Sequence, residues 1–190
     1  IDLGLSLVEP ADGLIANLLN IENRPAVTLA LKGSGPVADL RTELTLQANG
    51  QMALSGVATV NQQAGGIAVA ADLRGPLATL IAEPYRSFFG AETALAVDAL
   101  IRSEGGISIT GLRLSGGQLS LEAAAETTPD NFLRTLDLNA VIADPDGGQV
   151  TLPVPGNATR VGSAQLVIGF GGEAEEAWTA TLGMAGFETA

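Results

Sequence analysis

The sequence predicts an all-β fold, and three features of its 190 residues support this prediction. Apolar and polar residues alternate along most of the chain, which is the period of a strand with one buried face. The 24 glycines and nine prolines suit a chain with many turns. Aromatic residues make up only 4% of the chain, so its interior should be lined mainly by aliphatic side chains.

The alternating segments predict roughly ten to twelve strands. Each places its larger apolar residues on one face and its polar residues on the other. In chain order the segments are 1–10, 27–33, 44–56, 66–75, 93–101, 107–123, 136–142, 150–154, 166–170 and 178–184.

The segment 44–56 predicts a hairpin with an unusual loop. Its large apolar residues all stand at even positions, and a two-residue Asn-Gly turn would pair them with polar residues across the ladder. We therefore expect a three-residue loop at 48–50 with Gly50 in the left-handed region, which pairs Leu46 with Met52.

The segment 107–123 predicts a bulge followed by a second hairpin. Its apolar alternation changes from odd to even positions at Gly111, as a β-bulge would require. The two glycines at 116–117 then predict a two-residue turn that pairs Leu114 with Leu119.

Two short segments have the spacing of a helix. They are 12–20, after a possible cap at Asp12, and 83–89, with Pro84 at its start and Gly90 at its end. Each would form one or two turns, too few to be stable alone. We expect both to pack on the sheet, at an open end or over an edge.

A weak internal repeat indicates a stacked β architecture. GPVADL at 35–40 and GPLATL at 75–80 are 40 residues apart, which is 75 minus 35. A period of this length is typical of units that bury their apolar faces against their neighbours.

Charge and composition exclude several classes of function. The formal net charge is −12 with only nine scattered Lys and Arg residues, which argues against nucleic acids and anionic membrane surfaces as ligands. The chain has no histidine and no cysteine, so triads that use histidine, imidazole metal sites and disulfides are excluded. No apolar run is long enough to span a bilayer as a helix.

Carboxylates are the remaining candidates for chemistry. The candidates lie in two separate segments, and they are Glu173, Glu175, Glu176, Asp144 and Asp146. DPDGG at 144–148 resembles the start of a calcium loop but lacks its later ligands, so we interpret it as a turn and the acidic run as a solvated loop. We predict no catalytic residue, metal site or cofactor.

The continuous aliphatic face is the strongest feature, and two interpretations of it remain open. The pattern alone favours the core of a closed sandwich or barrel. The alternative is an open groove that holds lipid acyl chains, because each buried CH₂ contributes about 0.8 kcal/mol without a polar anchor. The residues that would line such a groove are Leu29, Leu31, Leu44, Leu46, Leu54, Val69, Leu73, Leu95, Val97, Ile107, Ile109, Leu112, Leu114, Leu119, Leu121, Leu136, Leu138, Val150, Leu152, Leu166, Ile168 and Phe170.

A resemblance to a known family is carried by three segments: ANLLNIENRPAVTLALKGSGPVADLRTELTLQANGQMALSGVATV at 16–60, RGPLATLIAEPYRSFFGAETALAV at 74–97 and GGQVTLPVPGNATRVGSAQLVIGF at 147–170. Together they resemble the alphaproteobacterial form of the TamB family, the translocation and assembly module proteins of the AsmA-like, bridge-like lipid transfer superfamily. The landmarks include the Pro84 to Gly90 helix and the Leu-Pro-Val-Pro-Gly corner at 152–156.

The resemblance implies an elongated open β-gutter, or β-taco, with an apolar groove. Residues 1–190 would form one elongated segment, interior or C-terminal, of a longer periplasmic protein anchored in the inner membrane of a Gram-negative bacterium. Its groove would carry phospholipid between the inner and outer membranes, with a BamA-like outer-membrane partner, TamA. A role in the assembly of outer-membrane proteins and autotransporters is also implied.

Two other interpretations follow from the residues. The first alternative is a self-contained β-rich binding or adhesion domain whose apolar face is simply its core. A hydrolase that uses carboxylates alone is a distant third, because no carboxylate pair stands out in the sequence.

Overall fold

The computed structural model describes residues 2–13, 24–36, 38–152, 159–171 and 177–189. Strands make up 67% of the structure. They are β1 (Asp2–Glu9), β2 (Val27–Ser34), β3 (Asp39–Ala48), β4 (Gln51–Gln63), β5 (Gly66–Gly75), β6 (Thr93–Arg102), β7 (Ile107–Ser115), β8 (Leu119–Thr127), β9 (Leu133–Ala143), β10 (Val150–Leu152), β11 (Thr159–Val161), β12 (Ser163–Phe170), β13 (Trp178–Ala185) and β14 (Glu188–Thr189).

Eleven of these strands form one antiparallel sheet, in the order β1 to β9, then β12 and β13. The three short strands β10, β11 and β14 form a second sheet. β1 pairs with β2 alone and β13 with β12 alone, so the large sheet remains open. The predicted all-β open fold is confirmed, and the strands that the alternation did not predict are the very short β11 and β14.

The predicted three-residue loop at 48–50 is wrong. Asn49 and Gly50 have φ values of 49° and 76°, and Ala48 pairs directly with Gln51. Two central residues with positive φ define a type I′ turn, which the Asn-Gly pair favours strongly. The left-handed conformation of Gly50 is confirmed, but Asn49 shares it.

A β-bulge beside this turn keeps the leucines of β3 and β4 on one face, whereas Met52 lies on the other face with Gln47. Leu46 pairs with Leu54 instead of the predicted Met52, and Gln47 pairs with Met52, so Ala53 is an additional residue on β4. One additional residue reverses the alternation after it. The even spacing of the leucines therefore reflects an ordinary turn plus a bulge.

The bulge predicted at Gly111 is confirmed. Asp98 pairs with Gly111 and the next residue, Ala99, pairs with Ile109, which leaves Thr110 as the additional residue on β7. The change from odd to even apolar positions therefore keeps one face continuous across β7.

The predicted register of the second hairpin is wrong by two residues. Leu114 pairs with Leu121 instead of Leu119, and the Gly116 N–H donates to the Leu119 carbonyl at 2.8 Å. The two glycines are required for a different reason. A Cβ at either would approach backbone atoms of residues 87–90 to within 2.9 Å, so another part of the chain packs against them.

That part is the connection between β5 and β6. It contains two 3-10 turns, Leu77–Leu80 and Glu83–Tyr85, and one α-helical turn, α1 (Arg86–Phe89). Gly90 ends the helix with a φ of 66°. The predicted helix at 83–89 is confirmed, whereas the one predicted at 12–20 lies largely outside the described residues.

The connections differ at the two ends of the strands. At one end, long connections follow β1, β5 and β9, alternating with the short hairpins β3–β4 and β7–β8. At the other end, short connections alone join the strands. The first two long connections, 10–26 and 76–92, both have 17 residues.

The predicted 40-residue repeat does not correspond to a structural repeat. Its first copy, 35–40, joins β2 to β3, and its second, 75–80, begins the long connection at the opposite strand ends. The recurring unit is instead four strands with a long connection after the first, as in β1–β4 and β5–β8. This four-strand repeat could not be detected from the sequence, because most strands share the same simple alternation of apolar and polar residues.

Candidate functional site: the apolar face of the large sheet

One row of directly opposed residues crosses the entire large sheet, and we call it the central row. Directly opposed residues of antiparallel strands lie on the same face. The central row consists of Leu5, Leu31, Leu44, Gly56, Leu73, Leu95, Leu114, Leu121, Ala140, Leu166 and Leu182. Ten steps of about 4.8 Å between neighbouring strands make it about 48 Å long.

Parallel rows widen this apolar face towards the ends that carry only short connections. The neighbouring row contains Ala58, Ala71, Val97, Leu112, Ala123, Leu138, Ile168 and Ala180. The row after it contains Leu40, Val60, Val69, Ala99, Ile109, Ala125, Leu136, Phe170 and Trp178. The apolar face is thus continuous along the strands as well as across them.

The opposite face of the same sheet is polar. Lys32 pairs with Glu43, and Arg113 pairs with Glu122, which in turn pairs with Asn139. These side chains alternate with the apolar ones along each strand, as period-two geometry requires. The sheet is therefore two-sided, and its charges lie on the face away from the central row.

The central row is not buried by the described part of the chain. Its nine inner members are half-buried, and those on the two edge strands are exposed. Side chains in a closed core would be almost inaccessible to solvent. The buried apolar residues of the described ranges lie outside the central row, and they are Val27, Ala48, Ala53, Leu54, Leu80, Phe88, Val150, Val161 and Ala164.

These buried residues lie at the strand ends that carry the long connections, which we call the covered strand ends. There, Leu77 and Leu80 of the β5–β6 connection pack on Val27, Ala48 and Ala53. The helix predicted at 83–89 lies further along the same connection, and its packing on the sheet is confirmed by Phe88, which lies in one buried cluster with Ala164 of β12.

A second cluster continues the cover along the same strand ends. Phe88 of α1 packs with Val150 and Val161 of the small sheet and with Ala164 of β12. The Gln118 N–H donates to the Phe88 carbonyl at 3.0 Å, which fixes α1 to the β7–β8 turn. The β5–β6 connection and the small sheet therefore form a wall along one side of the apolar face.

Twenty of the 22 predicted groove residues lie on this face, whereas two do not. Val150 and Leu152 belong to β10 of the small sheet, where Val150 is fully buried and Leu152 packs against its cluster. These two residues do alternate with polar ones along β10, but their side chains pack in the cluster that forms the wall. Leu54 is on the face but is buried, with 5% of its surface exposed.

Several members of the site were not predicted from the sequence. Leu5 and Leu182 extend the central row to the two edge strands, and both stand in segments whose alternation was recognised. Leu80 and Phe88 were missed as wall residues, because no periodicity in a short connection indicates which face it covers.

The carboxylate segment at 144–148 forms a turn, as predicted. The Asp146 N–H donates to Asp144 Oδ1 at 2.9 Å, and the Gly147 N–H donates to the Asp144 carbonyl at 3.0 Å. Glu173, Glu175 and Glu176 lie outside the described residues. Within the described ranges, no group of three or more acidic side chains is placed to hold a metal ion.

Two further findings bear on the site. In the part of the chain that the structure describes, no helix has the length and apolarity needed to cross a membrane. Comparison with protein-family models, curated proteins and solved structures found no match to this chain.

Proposed function

We propose that the apolar face binds the acyl chains of phospholipids and forms a segment of a lipid conduit. The observation that supports this most strongly is the central row, which is apolar on all eleven strands and whose nine inner members are only half-buried by the described residues. An accessible apolar surface of this extent typically marks a binding site for an apolar partner.

The physical properties of the face suit an acyl chain. Hydrophobic attraction has no preferred direction, and each CH₂ transferred from water contributes about 0.8 kcal/mol. An acyl chain on a row of leucines is therefore held without a polar anchor at any one position. It is free to move along the row, since neighbouring positions are nearly equivalent.

The direction of the face suits transport. The central row runs across the strands for about 48 Å, which exceeds the roughly 30 Å hydrocarbon core of a bilayer. Both of its ends lie on edge strands with no further described strand beside them. The wall of Leu77, Leu80, Phe88 and the small sheet follows one side of this path instead of blocking its ends.

A self-contained binding or adhesion domain is the alternative. In such a domain the apolar face is the core, and its central residues are buried. Leu73, Leu95 and Leu114 are only half-buried, which favours the conduit over this alternative.

The cellular setting of the proposal rests on the resemblance to the TamB family alone. It places the conduit in the periplasm of a Gram-negative bacterium, within an inner-membrane-anchored protein that carries phospholipid to the outer membrane. TamA as the outer-membrane partner, and support for outer-membrane protein assembly, belong to the same proposal.

Binding of a fluorescent phospholipid to the delipidated protein tests the proposed activity. Leu95→Asp places a charge on the central row, while the matched control Ala96→Asp places the same charge next to it on the polar face, between Asp72 and Arg113. We expect Leu95→Asp to lose lipid binding and Ala96→Asp to retain it. Equal binding by both variants, or no binding by the unmodified protein, would contradict the proposal.

A further inference from the structure

The strand ends opposite the wall expose a line of apolar side chains, which we call the open rim. It consists of Ile67, Ile101, Ile107, Phe132, Leu133 and Trp178, all exposed. Ile67, Ile101 and Ile107 are directly opposed on β5, β6 and β7. Phe132 and Trp178 are 72% and 60% exposed, and they lie beside the β8–β9 and β12–β13 connections.

The open rim differs from the covered strand ends in what lies over it. At the covered ends Leu80 and Phe88 bury the face, whereas at the open rim no described residue does so. The rim is continuous with the apolar face, because Phe170, which lies on that face opposite Leu136, stacks on Trp178 with ring centroids 4.6 Å apart.

The charged groups near the rim indicate what kind of surface it fits. Arg102 and Arg134 both lie near Glu126, at 3.6 and 4.0 Å, and the Arg102 guanidinium also donates to the Thr127 carbonyl. Glu104 and Asp130 are exposed on the turns. Paired cations and exposed carboxylates do not attract an anionic surface, and the net charge of −12 opposes it further.

We propose that the open rim docks on the surface of a zwitterionic phospholipid bilayer and that lipid enters the groove sideways there. This inference rests on the proposed function. Exposed Phe and Trp side chains insert at the boundary between headgroups and acyl chains. The exposed turn carboxylates Glu104 and Asp130 are compatible with a surface that carries ammonium groups and has no net negative charge.

Co-sedimentation with phosphatidylcholine vesicles tests the docking, and the fluorescence of Trp178 reports the contact because it is the single tryptophan. We expect the protein to pellet with these vesicles, with a blue-shifted emission that brominated lipid quenches. Phosphatidylglycerol vesicles should bind less protein. Phe132→Ser should weaken vesicle binding about tenfold, because a phenylalanine side chain leaves the bilayer.

The matched control is Val8→Ser, which removes another exposed apolar side chain, 67% exposed, from the polar face of β1. It should bind vesicles like the unmodified protein. Equal losses for both variants, or stronger binding to phosphatidylglycerol, would overturn the assignment of the rim. A blue shift that grows with protein concentration without vesicles would overturn it in favour of a second copy of the chain.

Leu95→Asp separates this inference from the proposed function. Its charge lies on the central row, away from the rim, so the variant should still pellet with vesicles although it binds no lipid in the groove. If the unmodified protein binds fluorescent phospholipid but never pellets with vesicles, the rim proposal fails and the groove remains. If it pellets but no lipid occupies the groove, the groove proposal fails.

Discussion

Leu95 and Leu114 lie directly opposite each other near the middle of the large sheet, and both remain half-buried. In a protein whose apolar face is a core, a pair of central leucines is the part expected to be least accessible. Here the fully buried pair is Val150 and Val161 of the small sheet. The centre of the sheet is thus more accessible than the wall beside it.

Charged substitutions should therefore be tolerated on the face but not in the wall. We expect Val97→Asp and Ile109→Arg, both on half-buried positions, to leave a folded protein, because the charged groups can reach water. Val161→Asp removes a fully buried valine and should cost several kcal/mol, since an unpaired charge is buried. Thermal unfolding followed by circular dichroism checks this. Unfolding of all three variants would show that the face is a core.

The first hairpin makes a prediction that distinguishes the type I′ turn from the three-residue loop. Gly50→Val and Asn49→Val should each destabilise the protein by more than about 1 kcal/mol, because β-branched residues resist positive φ. A Cβ at Gly50 has no neighbour within 4 Å, so backbone strain is the cause. Gln51→Val, at an exposed strand position, is the control and should cost little. Urea denaturation that finds Asn49→Val harmless would contradict the type I′ turn.

The contact between α1 and the β7–β8 turn predicts that even a methyl side chain at Gly117 destabilises the protein. A Cβ at Gly117 would lie 2.9 Å from Gly90 Cα and from the Ser87 carbonyl oxygen. Gly117→Ala should destabilise by about 1–3 kcal/mol, as overpacking does. Gly4→Ala adds a Cβ with no neighbour within 4 Å, so it should not destabilise. Equal unfolding free energies for the two variants would rule out the packed contact.

The overall dimensions of the molecule provide a further test of the open sheet. An open sheet about 48 Å across its strands should give a radius of gyration well above the roughly 16 Å of a compact domain of this length. Small-angle X-ray scattering measures this value directly. A radius near that of a compact domain would favour the closed sandwich.

Alternation predicted the all-β class and the residues of the apolar face, because a period of two is a local property of the sequence. The leucines of the central row from Leu31 to Leu166 could be assigned to one face in this way, but their pairing between strands could not. Alternation could not predict which type of loop keeps the leucines on the same face after the turn. An ordinary turn with a bulge at Ala53 and a longer loop without one give the same spacing of leucines, so the first hairpin was predicted with the wrong loop.

Tertiary contacts explain the remaining errors. Gly116 and Gly117 look like a hairpin turn in the sequence, but they are small because the backbone of α1 packs against them. Val150 and Leu152 alternate like groove residues, yet the small sheet turns them into the wall. Whether the face is open or covered depends on where the long connections fold, and their local sequence does not encode this.

Photo-crosslinking of phospholipid in the intact protein tests the central claim most directly. A photoreactive amino acid is placed in turn at Leu95, Leu114 and Leu138 on the apolar face, and at the neighbouring positions Ala96, Arg113 and Asn139 on the polar face. We predict that the three positions on the apolar face capture phospholipid and that their neighbours do not. Capture at neither set, or at both sets equally, would contradict the claim that this face carries lipid.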